Sequence, residues 1–297
     1  MSGSEEGAGS HVQRSTRDPE AILAMVAEAL PGVSRERLAI VRVGTHVVVR
    51  SSQPDLILRV DCPALHPESV ESWNRLLTDM ARSGAPIVPP LQAAVLDLGT
   101  ECAATLWPLA DTRAQDVRIG VLIRNLHDSE VPVGLPQWDF ESARVKILDR
   151  LAMARDFIPA DVDETLESRV NQVFSDLPEF REYVLTHGDA HAGNIVRLHE
   201  RPVFVDLDDL SLAPRELDLA PSVVTGARFK GNDWAQQVLD DYGRGQLDEY
   251  VLRWFASLRE VTMNSWLATL WRERPDARSE LLHRIATWEG GGQWHPM

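Results

Sequence analysis

Three oxygen-bearing side chains suited to binding phosphate and a divalent cation lie within one short segment, residues 189–206. They are the carboxylates of Asp189 and Asp206 and the amide of Asn194. Mg²⁺ prefers hard oxygen ligands and usually keeps several waters that substrate phosphates can replace. A further carboxylate close to such an ion could orient a hydroxyl group and accept its proton. The residue types and their spacing therefore predict a phosphoryl-transfer site.

The residues around these groups predict a β-hairpin that would bring two of them together. Apolar and β-branched residues at 195–198 and 203–205 predict two strands joined by a turn at 199–202. If the turn is centred near Glu200, Asn194 and Asp206 lie opposite each other, with their Cβ atoms roughly 5 Å apart. One Mg²⁺ could then bind both side chains.

The segment 187–194, with the sequence HGDAHAGN, resembles the catalytic loop of the aminoglycoside (antibiotic) phosphotransferase family, His-Gly-Asp-x-His-x-Gly-Asn. Two further segments, 206–208 (DLD) and 214–220 (PRELDLA), also resemble that family. Protein kinases share the Asp and an Asn five residues later. The resemblance implies an α+β, bilobal protein-kinase-like fold with an antiparallel sheet in a small N-lobe and a larger, mostly helical C-lobe.

The resemblance also implies a role for each residue of the catalytic segment. Asp189 would be the catalytic residue, and Asn194 and Asp206 would be the ligands of Mg²⁺. His187 and Asp218 would brace the loop by hydrogen bonding and would not contact the substrate.

A weaker resemblance extends to the nucleotide-binding half of the chain. The segment around Gly44 resembles the family's first hairpin over the nucleotide, and the segment containing Trp107 resembles the hinge beside adenine. Arg59 lies where protein kinases carry the phosphate-binding Lys, and its planar fork differs from an ammonium group in reach and geometry. We expect its acidic partner to be Glu71, with Glu68 as the alternative.

These roles predict a small-molecule O-phosphotransferase that moves the γ-phosphate of ATP or GTP to a hydroxyl group. The segment between Asp206 and Pro214 is too short for a phosphorylatable activation loop, which excludes a protein kinase. We expect acceptor choice to lie in the C-lobe helices and in the insert 132–139. Aminoglycosides, macrolides, other hydroxylated antibiotics, amino alcohols and sugars all remain open as acceptors.

The composition limits the possible partners. The chain has 297 residues, 45 of them acidic and 30 basic, and a formal net charge of −15. Nucleic acids and anionic membranes bind basic surfaces, so we expect neither as a partner. The negative charge suits a cationic small substrate, although it can also serve solubility alone. The sequence leaves a monomer and a homodimer equally open.

Two further features concern the cellular compartment. The chain has no run of 18 apolar residues and no secretory leader pattern at its start, so we expect a cytoplasmic protein. Cys62 and Cys102 show no metal-ligand spacing, and we expect two reduced thiols that pack as small apolar groups.

The pattern along the chain predicts three regions. Residues 1–17 are rich in Gly, Ser and Glu and predict a disordered tail. Residues 18–107 would form the nucleotide-binding N-lobe, and residues 108–297 the C-lobe with the catalytic loop and the acceptor-binding helices. Helices are expected from residue 19, at 67–83, 114–127, 140–157 and 165–177, and after the hairpin to about residue 288; strands are expected within 38–60, near 92–96 and at 101–107.

Two other classes of protein remain open. The pair His187 and Asp189 also matches the start of a two-His-one-carboxylate site of an Fe(II)-dependent oxygenase. That site requires a β-barrel and a distant third ligand, whereas the downstream residues predict helices. A catalytically weak, kinase-like protein that binds a nucleotide or another ligand is the second alternative, because Arg59 replaces the usual Lys.

Overall fold

The computed structural model describes residues 18–44, 46–99, 101–110, 112–113 and 116–297. The predicted tail, residues 1–17, lies outside the described residues. The chain divides into two compact units, one formed by Met1–Arg82 with Val88–Ala110 and the other by Ser83–Ile87 with Asp111–Met297. No helix among the described residues has both the length and the apolar character needed to span a bilayer.

The first unit is built on a five-stranded antiparallel sheet with the strand order β1-β2-β3-β5-β4. Alternate residues of β2 and β3 are buried, as expected for strands with one face on a hydrophobic core. Asp18 caps the first helix by accepting a hydrogen bond from the Glu20 backbone N–H at 3.0 Å. The elements are α1 (Pro19–Ala29), β1 (Leu38–Val43), β2 (Val47–Ser52), β3 (Asp55–Asp61), α2 (Pro67–Arg82), β4 (Leu96–Asp97) and β5 (Ala103–Pro108).

The two cysteines are joined in a disulfide, so the prediction of two reduced thiols was wrong. Cys62 directly follows β3 and Cys102 directly precedes β5, and the antiparallel pairing of Asp61 with Ala103 brings them together. Their Cα atoms are 4.6 Å apart. A sequence separation of 40 residues hides this proximity, which follows only from the strand pairing.

The second unit is mainly helical and contains two small sheets, one formed by β10 and β7 and the other by β6, β8 and β9. Its hydrophobic core lies among α4, α5, α6, α8 and α9. The elements are β6 (Thr112–Arg113), α3 (Ile119–His127), α4 (Phe140–Ala154), α5 (Ala160–Ser175), β7 (Val184–Thr186), β8 (Ile195–Leu198), β9 (Arg201–Phe204), β10 (Ser211–Ala213), α6 (Glu216–Thr225), α7 (Asn232–Tyr242), α8 (Glu249–Thr269) and α9 (Pro275–Thr287).

The predicted fold class is confirmed, because an antiparallel sheet dominates the N-terminal part and helices dominate the remainder. Some boundaries differ from the prediction. The expected strand at 92–96 is reduced to Leu96–Asp97, and α3 begins at Ile119, later than expected. Helix α5 begins earlier than expected, at Ala160, where Asp161 and Asp163 in its first turn favour helix initiation.

The predicted hairpin forms, but its register was wrong by one residue. Ile195 pairs with Phe204, and the loop consists of His199 and Glu200, both with positive φ. Such a two-residue loop is tighter than a turn centred on Glu200. Asn194 therefore lies opposite Val205, whose N–H donates to the Asn194 carbonyl oxygen at 2.9 Å.

Candidate active site

The candidate active site is built on the segment His187–Asn194, which we call the catalytic loop. It leaves the end of β7, closes with a short 3₁₀ turn at Ala192–Asn194 and leads directly into β8. Strand β7 is tied to β10, because the Thr186 hydroxyl donates to the Ser211 carbonyl oxygen at 3.0 Å within the core. The loop therefore begins and ends on sheet strands.

Steric contacts explain why glycine occupies both positions 188 and 193 of the catalytic loop. Gly188 has φ +85°, and a Cβ placed there would lie 2.5 Å from the carbonyl oxygen of Asp209. A Cβ on Gly193 would lie 2.7 Å from Cε1 of the His191 ring, which accepts a hydrogen bond from the Gly193 N–H at 3.0 Å. The glycine spacing of the HGDAHAGN segment thus follows from how tightly the loop folds.

A buried carboxylate holds the start of the catalytic loop. Asp218, on α6, accepts hydrogen bonds from the backbone N–H of His187 at 2.7 Å and of Gly188 at 2.8 Å. His127 Nε2 donates to the same carboxylate at 3.1 Å, and His127 Nδ1 lies 2.9 Å from the Tyr242 hydroxyl. Burial raises the pKa of Tyr242 to about 12, so its hydroxyl stays protonated and can donate to His127.

His127 and Tyr242 were not predicted from the sequence as parts of the site. Both lie in helices, α3 and α7, that contain no residue pattern linked to phosphoryl transfer. The position of His127 in the last turn of an amphipathic helix was the only available signal.

The buried ring of His187 links the catalytic loop to the end of the hairpin. Its Nε2 lies 2.8 Å from the Val205 carbonyl oxygen, and its Nδ1 accepts a hydrogen bond from the Asp189 N–H at 3.2 Å. A neutral ring protonated at Nε2 satisfies both contacts. Because both nitrogens are engaged within the protein, His187 cannot ligate iron as the Fe(II)-oxygenase alternative requires.

Asp189 is the carboxylate of the catalytic loop, and its two oxygens have different surroundings. Its Oδ1 is buried and forms an ion pair with Arg259 Nη1 at 2.8 Å, but it accepts no hydrogen bond from any described residue. Its Oδ2 lies 3.5 Å from His191 Nε2. Burial raises the pKa of Asp189, but hydrogen bonding by His191 and the positive charge of Arg259 outweigh it and hold the pKa well below its usual range. Asp189 is therefore ionised, and its carboxylate can accept a hydrogen bond from a further donor.

Arg259 was not predicted from the sequence. It lies in the middle of α8, in a different part of the chain from the catalytic loop, and no motif surrounds it. Only the packing of α8 shows that its guanidinium reaches Asp189.

Asn194 and Asp206 lie at the open end of the β8–β9 hairpin. Asn194 Nδ2 donates to the Asp189 carbonyl oxygen at 3.1 Å, which leaves its amide oxygen available for a cation. Asp206 is exposed and has φ +64°, and one of its carboxylate oxygens lies within 4.8 Å of one of Asp208. This set of hard oxygen donors fits Mg²⁺.

The first unit contains the residues predicted to bind the nucleotide. Arg59 lies on β3, and its Nε is 3.7 Å from the Asp61 carboxylate. Glu71, on α2, forms its ion pair with Arg75 at 3.0 Å. Within the described ranges, no ion pair joins Arg59 to Glu71 or to Glu68, so the structure does not bring the predicted partners together.

Gly44 and Trp107 were the other two predicted nucleotide contacts. Gly44 follows β1, and a Cβ there would meet the Arg42 side chain at 3.6 Å, an ordinary contact, so packing does not require glycine. Trp107 is half-buried on β5, and its Nε1 donates to the Thr105 hydroxyl at 2.8 Å. Their contacts with a nucleotide stay predictions.

A cavity of about 360 Å³ opens beside Asp189 within the second unit. Its walls come from α4, α6, α8, the segment 208–211 and the insert 132–139, which the sequence analysis linked to acceptor choice. Trp138 of that insert packs edge-to-face on Phe255, with the ring centroids 5.2 Å apart. Both rings line the cavity, so an ionised carboxylate faces a partly aromatic pocket.

An ionised carboxylate beside a cavity, with an amide and a carboxylate on the adjoining hairpin, fits the predicted phosphotransferase site. The family model described as the phosphotransferase enzyme family matches residues 44–256, more than half of the chain. The chain belongs to this family of phosphotransferases. The predicted family resemblance is confirmed.

Several solved structures share the fold. An amicoumacin kinase in complex with AMP-PNP, Ca²⁺ and its substrate is 16% identical, with a TM-score of 0.66 over 92% of this chain and 94% of that chain. A microcompartment-associated aminopropanol kinase is 16% identical, with a TM-score of 0.65 over 91% and 98%. An AMP-bound spectinomycin phosphotransferase is 17% identical, with a TM-score of 0.61 over 89% and 93%. A search of curated proteins found no match.

The contacts of Asp218 lead to a first prediction. In Asp218→Asn, one oxygen would be replaced by an NH₂ group that faces a backbone N–H, leaving a buried donor unsatisfied. We expect a loss of about 2 kcal/mol in the free energy of unfolding and a fall in kcat of at least tenfold. Urea unfolding and steady-state kinetics measure both effects.

The control for this variant is Asp240→Asn, which changes an exposed carboxylate on α7. If Asp218→Asn resembles this control in both stability and kcat, Asp218 does not hold the catalytic loop.

The ion pair of Asp189 leads to a second prediction, on pH dependence. In the wild type, the depressed pKa keeps Asp189 ionised down to and below the ordinary aspartate value of about 3.9. In Arg259→Met the opposing charge is lost and burial remains, so the pKa of Asp189 should rise. We expect the acidic limb of the kcat–pH profile to move to higher pH.

Arg253→Met is the matched control, because Arg253 is exposed on the same helix. Superimposable acidic limbs for Arg259→Met and Arg253→Met would show that Arg259 does not set the ionisation of Asp189.

Proposed function

We propose that the protein transfers the γ-phosphate of Mg²⁺-bound ATP to a hydroxyl group of a small molecule held in the cavity beside Asp189. The observation that carries this proposal is the state of Asp189. Its Oδ1 is buried at the cavity wall, ionised and without a hydrogen-bond donor from the described residues. A substrate hydroxyl would supply the hydrogen-bond donor that Oδ1 lacks beside its ion pair with Arg259.

In this proposal Asp189 performs two tasks. It orients the acceptor hydroxyl for in-line attack on the γ-phosphorus, and it accepts the hydroxyl proton as the new O–P bond forms and ADP leaves. Its ionised state is needed for both tasks. A loose phosphoryl-transfer transition state requires mainly positioning and charge neutralisation, which fits a carboxylate held by a rigid loop.

The remaining roles concern the nucleotide. Asn194 and Asp206 would hold Mg²⁺, which neutralises charge on the phosphate oxygens when it is bound. Arg59 is proposed as a phosphate-binding cation, and the backbone of β5 near Trp107 as the adenine contact. ATP is preferred over GTP in this proposal, because the structurally similar proteins are described with AMP and AMP-PNP.

The proposed acceptor belongs to the broad class of hydroxylated small molecules. The similar structures include enzymes named for spectinomycin, amicoumacin and aminopropanol, which are chemically diverse hydroxylated molecules. A screen for the mass of one added phosphate, run with ATP and with GTP against hydroxylated antibiotics and metabolites, tests donor and acceptor together. Nucleotide-dependent melting without turnover across the whole panel would instead favour the catalytically weak binding protein.

Asp189→Asn gives the third prediction. The amide keeps the size of the side chain but cannot accept a proton, so kcat should fall by about 10²–10⁴-fold. Binding of ATP, measured by titration calorimetry, should stay within about threefold of the wild type, because the predicted metal ligands are unchanged. Asp240→Asn serves as the control, and a fully active Asp189→Asn enzyme would remove Asp189 from the reaction.

A further inference from the structure

The cavity beside Asp189 is lined by three cationic and four acidic side chains, in a chain of net charge −15. Lys146 and Arg150 reach it from α4, and Arg259 reaches it from α8. The net charge of the chain suggested a cationic substrate, whereas the ligand preference of the cavity depends on how its own charged groups are paired.

The acidic groups of the cavity are already engaged within the protein. Asp189 pairs with Arg259, and Asp209 lies 3.3 Å from Lys146 Nζ. Asp139 caps α4 and accepts a hydrogen bond from the Ser142 N–H at 2.8 Å. Asp208 also has interaction partners. The two ion pairs offset the charges of Asp189 and Asp209, and the helix N-terminus stabilises the charge of Asp139.

Arg150 differs from the other two cations. It is half-buried, and within the described part of the chain no ion pair joins it to a carboxylate. Among the described residues, Arg150 makes a single long hydrogen bond, from Nη1 to the Thr262 carbonyl oxygen at 3.4 Å. Burial lowers the pKa of Arg150 and the nearby charge of Arg259 lowers it further, although Asp209 and Asp189 oppose this. A guanidinium in this setting gains from an anionic partner.

We propose that the acceptor is a hydroxylated carboxylic acid whose carboxylate binds the guanidinium of Arg150 while its hydroxyl reaches Asp189. This inference rests on the proposed phosphotransfer at the same site. Arginine forms bidentate pairs with carboxylates, so Arg150 would fix the orientation of the acceptor as well as its affinity. The Trp138 and Phe255 rings favour an apolar or aromatic body between the two polar ends of the molecule.

The experiment uses matched compounds that differ only in charge. Mandelate, 3-phenyllactate and tropate are each compared with the corresponding primary amide, and 2-amino-1-phenylethanol represents a cationic alcohol. Phosphorylation is measured as kcat/KM with ATP and Mg²⁺, and binding as the rise in melting temperature. Wild type, Arg150→Met and Arg150→Lys are compared, with Arg253→Met as the control outside the cavity.

For the wild type we expect kcat/KM to be at least tenfold higher for an acid than for its amide. Arg150→Met should lose this preference because kcat/KM falls at least tenfold further for the acid than for its amide, and Arg150→Lys should retain part of the preference. Since Arg150→Lys keeps the charge, it supplies the comparison if Arg150→Met does not fold. Equal or better use of the amides or of the amino alcohol, or an undiminished preference in Arg150→Met, would overturn the inference.

The failure of this inference can be told apart from the failure of the proposed function. Phosphorylation of amides or amino alcohols but not of acids leaves the phosphotransfer standing and overturns the anionic acceptor. If no compound is phosphorylated, the melting data decide. An acid-specific rise that Arg150→Met lacks supports the anion site, and its absence overturns it.

Discussion

The carboxylate of Asp218 holds two consecutive backbone N–H groups of the catalytic loop, and the other site contacts depend on that geometry. A backbone fixed at His187 and Gly188 determines where the Asp189 side chain points. His127 donates to the same carboxylate from α3, so helices far apart in the chain help to hold one loop. Such a fully buried charge is stable only with all of these donors in place, since an unpaired buried charge is strongly unfavourable.

The catalytic loop in turn places an amide oxygen and a carboxylate oxygen at the site. Asn194 is fixed by its bond to the Asp189 carbonyl oxygen, and Asp189 Oδ1 accepts no hydrogen bond from the described residues beside its ion pair with Arg259. A buried carboxylate oxygen gains from a hydrogen-bond donor, which a substrate can supply. Arg259 and His191 keep Asp189 ionised despite its burial, so the charge is ready before a substrate hydroxyl binds.

The sequence predicted the parts of the site whose functional groups lie close together along the chain. The segment 187–194 contains the carboxylate proposed as catalytic, the amide proposed as a metal ligand and the two glycines of the tight loop. The hairpin register was missed because His199 and Glu200 adopt the left-handed conformation without the Asn-Gly signal usual in such turns. Arg259, Arg150 and the disulfide could not be predicted, because each depends on contacts between elements that lie far apart in the chain.

Crystals grown with AMP-PNP and Mn²⁺ in place of Mg²⁺ test the central claim most directly, since the anomalous signal of Mn²⁺ locates the metal. The predicted result is a peak coordinated by the Asn194 amide oxygen and the Asp206 carboxylate, with Asp189 free of the metal and facing the cavity. A peak on other residues, or a metal bound by Asp189 itself, would contradict the assignment of these three side chains.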